Sequence, residues 1–256
     1  MSKILKKFCG IFGYKLLPKN YIKNKNHLLE FSSLKLEKII TNLVEKNVVN
    51  SLIQIGANDG ILNDHVHNVI KKFKLKSLLL EPIKKHFLEL KKNYFNYDNV
   101  KFENSALSIK NEILFLYTVD PRHSEKYGGL SSGISSFYKQ HLLNHGIKEK
   151  YIVQEKVDQI SIDQLLKKHK ITSFDLLLVD TEGYDSYIVN DFFLKIRDIR
   201  PIIIFEWSHI INIELKNTLS IMTKNNYYFF PVGDDILCFP IEKNISFNLN
   251  LKKLVT

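Results

Sequence analysis

Ser51-Leu-Ile-Gln-Ile-Gly-Ala-Asn-Asp-Gly60 is an apolar run that ends abruptly in a turn of small residues. A helix-like pattern follows from Ile61, and Glu81 closes the next apolar run, Leu78-Leu-Leu-Glu-Pro82. A buried parallel strand that feeds a turn and then a helix is how a nucleoside-bearing cofactor is presented at a sheet edge. Gly56 and Gly60 lack the Cβ atoms that would hold a ligand away from the backbone. The Glu81 carboxylate, at the second strand end, can accept hydrogen bonds from both hydroxyls of a ribose. The turn reads Gly-Ala-Asn-Asp-Gly, without the Gly-x-Gly pair that admits a pyrophosphate. Asp59 would repel that anion yet tolerate a sulfonium cation. A nucleoside without phosphates, such as S-adenosylmethionine, fits better than a nicotinamide dinucleotide. Glycine spacing alone would equally suit a tight turn in any α/β protein; the acidic second strand end favours a cofactor.

Working outward, the same strand-to-helix alternation recurs. Strand 50–56 leads to helix 61–73, strand 77–81 to helix 84–96, strand 174–180 to helix 184–196, and strand 201–207 to helix 212–225, with strand 99–105 in the same sheet. Leu36, Ile39, Ile40 and Leu43 share one face of a preceding helix, Leu34 to Val44, expected against the sheet edge. Tyr227 to Val232 and Ile236 to Pro240, split by Gly233-Asp-Asp, form a hairpin. The expected fold is therefore α/β and doubly wound, a mostly parallel sheet with a C-terminal antiparallel hairpin strand.

Asp175-Leu-Leu-Leu-Val-Asp-Thr-Glu-Gly-Tyr-Asp185 is a second strand that runs into a helix, with carboxylates crowded where the two meet. Ligands of doubly wound sheets bind at the carboxyl ends of strands. Asp180 and Glu182 therefore belong to the expected site, while Asp185 can serve as a helix cap. The next strand, Ile202-Ile-Ile-Phe-Glu-Trp-Ser-His209, ends in the same crevice. A glutamate on an apolar strand costs burial energy unless it is paired or at a site, which marks Glu206 as functional and His209 as its companion. A scaffold without activity has no need of carboxylates at successive strand ends.

Residues 121–136 are rich in Gly and Ser, with His123 within them and His141 and His145 just beyond. A long connection of this kind reads as a lid over the substrate, inserted at about 120–150, or as a solvated loop with incidental histidines. The net charge of +10 is uneven: residues 1–29 hold seven lysines and no carboxylate, which leaves only +3 for the rest. With three arginines in the chain, a nucleic-acid surface is not indicated. Residues 1–33 read instead as a basic arm before a domain at 34–256. Ile4, Phe8, Ile11 and Phe12 at helical spacing allow this arm to lie on an anionic membrane. The run Phe8 to Tyr14 is too short to span one. Cys9 and Cys238 lie far apart, which excludes a disulfide framework and the common zinc spacings and suits a cytoplasmic protein.

These motifs together resemble the FkbM family of S-adenosylmethionine-dependent methyltransferases. The likeness runs from about residue 50 to 207 through Gln54-Ile-Gly-Ala-Asn-Asp-Gly60, Glu81-Pro82, Asn104-Ser-Ala-Leu107, Ile162-Asp163 and the Asp175–Asp185 segment. Gln54 and Asp185 depart from the residues usual at those positions. The resemblance implies a seven-stranded Rossmann-like sheet, S-adenosyl-L-methionine as cofactor, and O-methylation of a sugar or polyketide hydroxyl. The expected cofactor site is Gln54, Gly56, Ala57, Asn58, Gly60, Glu81, Pro82, Ser105, Ala106 and Asp180. The catalytic candidates are Asp180, Glu182, Glu206 and His209. A carboxylate pair holding magnesium is the weaker alternative, and no metal is assigned. The expected acceptor is a cell-surface glycan or its precursor, with a small hydroxylated metabolite as the other reading.

Overall fold

A computed structural model describes residues 35–109, 114–128 and 130–243. The basic arm and Cys9 lie outside the described residues. The central sheet has seven strands: β1 (Ser51–Ile55), β2 (Lys76–Leu80), β3 (Val100–Glu103), β8 (Leu176–Val179), β9 (Ile202–Glu206), β10 (Tyr227–Val232) and β11 (Asp235–Pro240). Their spatial order is β10-β11-β9-β8-β1-β2-β3. Neighbours from β3 through β9 are parallel, and β11 runs antiparallel to both β9 and β10. The antiparallel strand of the expected hairpin therefore sits one place in from the edge.

Strand residues alternate between two cores, as the period of two requires. Ile53, Ile55, Leu177, Val179, Ile203 and Phe205 face one side. There they meet α6 (Ile162–His169), α7 (Asp185–Lys195) and α8 (Asn212–Lys224). Leu52, Leu176, Leu178, Ile202 and Ile204 face the other, with α1 (Leu36–Glu45), α2 (His67–Phe73) and α3 (Lys84–Asn93). Because both faces are covered, β8 and β9 read as unbroken apolar runs. Helix α1 packs in the second core, so it covers a face of the sheet and not its edge: its five apolar residues find more area there. Ser161 starts α6 through a capping box with Gln164.

Helix α2 begins at His67, six residues later than the sequence pattern suggests. Asp59 Oδ1 accepts the backbone N–H of Ile61 and Leu62, both at 2.8 Å, and Asp64 Oδ1 that of Val66 at 2.7 Å. These side-chain bonds offer the backbone turns in place of a helix. A loop, and not a helix start, consequently borders the ends of β1 and β2.

The segment between β3 and α6 adds two small ladders. β4 (Ala106–Leu107) pairs with β7 (Gln159–Ile160), and β5 (Leu114–Val119) with β6 (Ile152–Val157). Between β5 and β6 lie the short helices α4 (Leu130–Gly133) and α5 (Lys139–Asn144). Val119, Ile134, Leu142 and Ile147 form a local core that holds this insertion together.

Candidate functional site

The chain winds outward from β1 to β3 on one side and from β8 to β10 on the other, so β1 and β8 flank the point where strand order reverses. Crevices open at such points, outside the carboxyl ends of the strands. A cavity of about 490 Å³ lies there. Of the expected cofactor residues, Gln54, Gly56, Ala57, Asn58, Glu81, Pro82, Ser105, Ala106 and Asp180 line it; Gly60 does not.

The two glycines serve packing. A Cβ on Gly56 would stand 1.7 Å from the Asp180 carbonyl oxygen, and Gly56 has φ +86°. The glycine lets the ends of β1 and β8 approach each other. A Cβ on Gly60 would come within 2.5 Å of Leu90 Cδ1 and 2.7 Å of Tyr94 Cε2, so this residue seats the turn on α3. Beyond the space expected of them for a ligand, both glycines answer to protein contacts, and of the two only Gly56 lines the cavity.

Glu81 holds the turn. Its Oε2 accepts the Asn58 N–H at 2.9 Å and its Oε1 the Ile83 N–H at 2.8 Å. Burial raises its carboxyl to about 7, against the pull of those two backbone bonds. Asn104 Nδ2 donates to the carbonyls of Glu81 and Pro82 at 2.8 and 3.0 Å, which fixes the next stretch of wall. Asp64, which the sequence reading missed, also lines the cavity from the loop before α2; inside a helix-like run it carried no signal of its own.

Across the cavity stand Asp180, Glu182 and His209. Glu182 has φ +53°, an uncommon backbone for a residue with a side chain. Buried Asp185 maintains it, accepting from Thr181 Oγ1 at 3.0 Å and the Gly183 N–H at 3.2 Å. Asp185 thus ties the turn to the first residue of α7. Burial, and then the carboxylates of Glu182, Glu206, Asp235 and Asp64, raise the Asp180 carboxyl well above its ordinary value. Asp180 is exposed to the cavity, so carboxylate crowding is the firmer cause.

Glu206 does not line the cavity, contrary to expectation. The last residue of β9 is turned to Ser208, whose Oγ donates to Oε1 at 2.6 Å, and to His209 Nε2 at 3.2 Å. It reaches the site through His209. Burial raises its carboxyl to about 8, and Glu182, Asp185 and Asp235 add to this. The His209 imidazole is lowered by burial, with His141 and His145 adding to this and Glu182 opposing it.

The insertion closes the remaining side. Gly133, Ile134, Ser135, Phe137 and His145 face the cavity. Ser136 Oγ donates to the Glu182 carbonyl at 2.8 Å, which fastens the insertion to the turn after β8. His123 lies instead against the Tyr151 ring, centroids 4.5 Å apart. His141 and His145 meet His209 at centroid distances of 4.5 and 5.2 Å. The sequence named both histidines but could not join them to His209; their spacing of four, on one helix face, was the available signal.

No curated protein sequence matches the chain. Among solved structures, a methyltransferase FkbM from Methylobacillus flagellatus KT shares 12% identity at a TM-score of 0.45. The alignment covers 75% of this chain but only 44% of that one, so the chain spans less than half of its length. An O-methyltransferase from Bacillus cereus, solved with SAH, shares 11% identity at a TM-score of 0.43 over 93% of this chain and 90% of that one. A ribosomal protein L11 methylase from Lactobacillus delbrueckii subsp. bulgaricus shares 12% at 0.38, over 79% and 75%. The profile of the methyltransferase FkbM domain matches residues 54–229, from the end of β1 into β10. The chain belongs to the FkbM methyltransferase family, whose methyl donor is S-adenosylmethionine.

Proposed function

We propose that the protein methylates a hydroxyl, on a sugar of a cell-surface glycan or its lipid-linked precursor. The observation that carries the O-methyl reading is the two-sided lining of the cavity. Glu81 and the Asn58 turn stand at the β1 and β2 ends, and Asp180 and Glu182 stand at the β8 end. The cofactor lies across Gln54, Gly56, Ala57, Asn58 and Glu81, with its adenine by Ser105 and Ala106. The acceptor enters from the insertion side. Its oxygen attacks the methyl carbon in line, the carbon–sulfur bond breaks, and the electron pair returns the sulfonium to a neutral thioether. Alignment of donor and acceptor supplies much of the rate. The hydroxyl proton passes to a carboxylate, for which Asp180 is best placed; Glu182 and His209 position the acceptor, and Glu206 orients His209.

Single-turnover methyl transfer separates these roles. Asp180→Asn is expected to lose roughly 10²–10⁴-fold in rate, the usual scale for a missing general base. Smaller losses are expected for Glu182→Gln and Glu206→Gln. Near wild-type rates in all three would remove this cluster from the chemistry.

The glycan half of the proposal rests on the broad lid and the lysine-rich arm. No helix among the described residues is long and apolar enough to cross a membrane. Seven lysines in residues 1–29, each contributing on the order of 1 kcal/mol near an anionic surface, would hold the enzyme at the cytoplasmic membrane face where such precursors are assembled. The deciding experiment is an acceptor screen with labelled cofactor against sugar nucleotides, vesicle-embedded lipid-linked glycans and free small alcohols. Labelled glycan ethers are expected. Preference for a free small alcohol over every glycan would overturn the substrate, and label on nitrogen or carbon would overturn the reaction.

A further inference from the structure

Three imidazoles and two carboxylates converge where the insertion meets the ends of β8 and β9. The ligand nitrogens of His141, His145 and His209 all lie within 4.8 Å of one another, as do the ligand atoms of Glu182, Glu206 and His209. His141 Nε2 and His209 Nε2 stand 2.8 and 3.6 Å from the same oxygen, Glu182 Oε2. Atoms sharing a tetrahedral ion at about 2.1 Å are spaced by roughly 3.4 Å, between those two values. The His141–Glu182 approach lacks hydrogen-bond geometry, which leaves buried His141 Nε2 without a hydrogen-bond partner among the described residues. The His145 ring holds a tautomer suited to ligation. Its Nδ1 lies 2.9 Å from the His141 carbonyl oxygen, which can only accept, so Nδ1 carries the proton and Nε2 keeps its lone pair. Glu206 Oε1, held by Ser208, lies 3.2 Å from the same His209 Nε2, so this carboxylate is a further oxygen donor beside the cluster.

We propose that His141, His145 and His209 form a site for a divalent transition-metal ion of the zinc class, which the Glu182 carboxylate, 2.8 Å from His141 Nε2, completes as the ion binds. Three imidazoles and one carboxylate select borderline ions such as zinc or cobalt over magnesium and calcium, which prefer oxygen. The ligands come from the insertion on one side and from the turns after β8 and β9 on the other. The ion therefore pins the insertion over the cavity, in parallel with the Ser136–Glu182 bond. This goes beyond methyl transfer, although an ion held by Glu182 and His209 would fix the two groups proposed to position the acceptor.

The test uses the full chain and reads metal, not activity. Cobalt(II) titration of metal-stripped protein is expected to give one equivalent with the visible absorption of a four-coordinate site, displaced by zinc. His145→Ala, at a half-exposed position, and His141→Ala are expected to weaken zinc binding by about tenfold or more. His123→Ala, against Tyr151, is expected to bind as the wild type does. Zinc is also expected to slow amide exchange across residues 120–150. Absence of a cobalt spectrum and of zinc binding in the wild-type protein, or undiminished binding in folded His145→Ala, overturns the site. Near wild-type methyl transfer in Asp180→Asn with metal binding intact would count against the catalytic assignments and leave this site standing.

Discussion

Gly56→Ala is expected to be the most damaging single-methyl change near the site. The added carbon would stand 1.7 Å from the Asp180 carbonyl oxygen, a separation that only a shift of backbone can relieve. Gly56 N–H donates to the Leu80 carbonyl at 3.1 Å and Asp180 N–H to the Ile55 carbonyl at 2.9 Å, so both partners are tied into the sheet. The positive φ adds strain to the collision. A cost on the order of 4 kcal/mol or more is expected, a large share of a typical domain's stability. For a chain of this size the melting midpoint should fall by roughly 10 °C or more, where the protein folds at all. Gly128→Ala is the control: φ is +55° there, but nothing among the described residues lies within 4 Å, so only the backbone strain of about 1 kcal/mol applies. If the two variants melt together, the close approach of β1 and β8 is not what requires glycine.

That collision also shows where the sequence stops being informative. Gly56 announces a tight turn in any reading, but the atom it avoids lies far along the chain and meets it only after β8 docks on β1. The strands themselves were legible because a parallel sheet buried on both faces forces continuous apolar runs, and β8 and β9 carry little else. The crowding of Asp180, Glu182 and Glu206 was legible for the same reason, since neighbouring parallel strands end side by side. The direction in which each carboxylate points was not. Glu206 turns to Ser208 and His209, and Asp185 staples a turn, because local hydrogen bonds settle orientation after topology is set. The start of α2 was hidden likewise, since Asp64 looks from sequence like a polar residue in a helix and the backbone bonds made by Asp59 and Asp64 do not show there. The histidine cluster needed the insertion to fold back onto β9, a long-range event that spacing alone does not encode.

Glu81→Ala is expected to raise the dissociation constant for S-adenosylmethionine by a factor of roughly 5 to 150, equivalent to about 1–3 kcal/mol. Two losses combine. The carboxylate proposed to receive the ribose hydroxyls disappears, and the backbone N–H groups of Asn58 and Ile83 lose their acceptor, which loosens the turn that lines the cavity. The wild-type protein carries a second signature. Burial holds the Glu81 carboxyl at about 7, above its ordinary value, so the free protein binds this proton more tightly than the unfolded chain does. Its contribution to stability is therefore present below the ordinary carboxyl range and is lost as pH rises through about 7. Cofactor binding runs the other way, because ribose hydroxyls donate best to the ionised form. Between pH 6 and 8 the affinity of the wild-type protein is expected to rise by about tenfold, the ionised fraction for a carboxyl near 7 growing by that factor. In Glu81→Ala this rise should vanish. Isothermal titration at several pH values measures both effects. Unchanged affinity in a folded Glu81→Ala protein would remove Glu81 from the cofactor site. A pH-dependent rise that survives the substitution would instead place the titrating group among the carboxylates across the cavity.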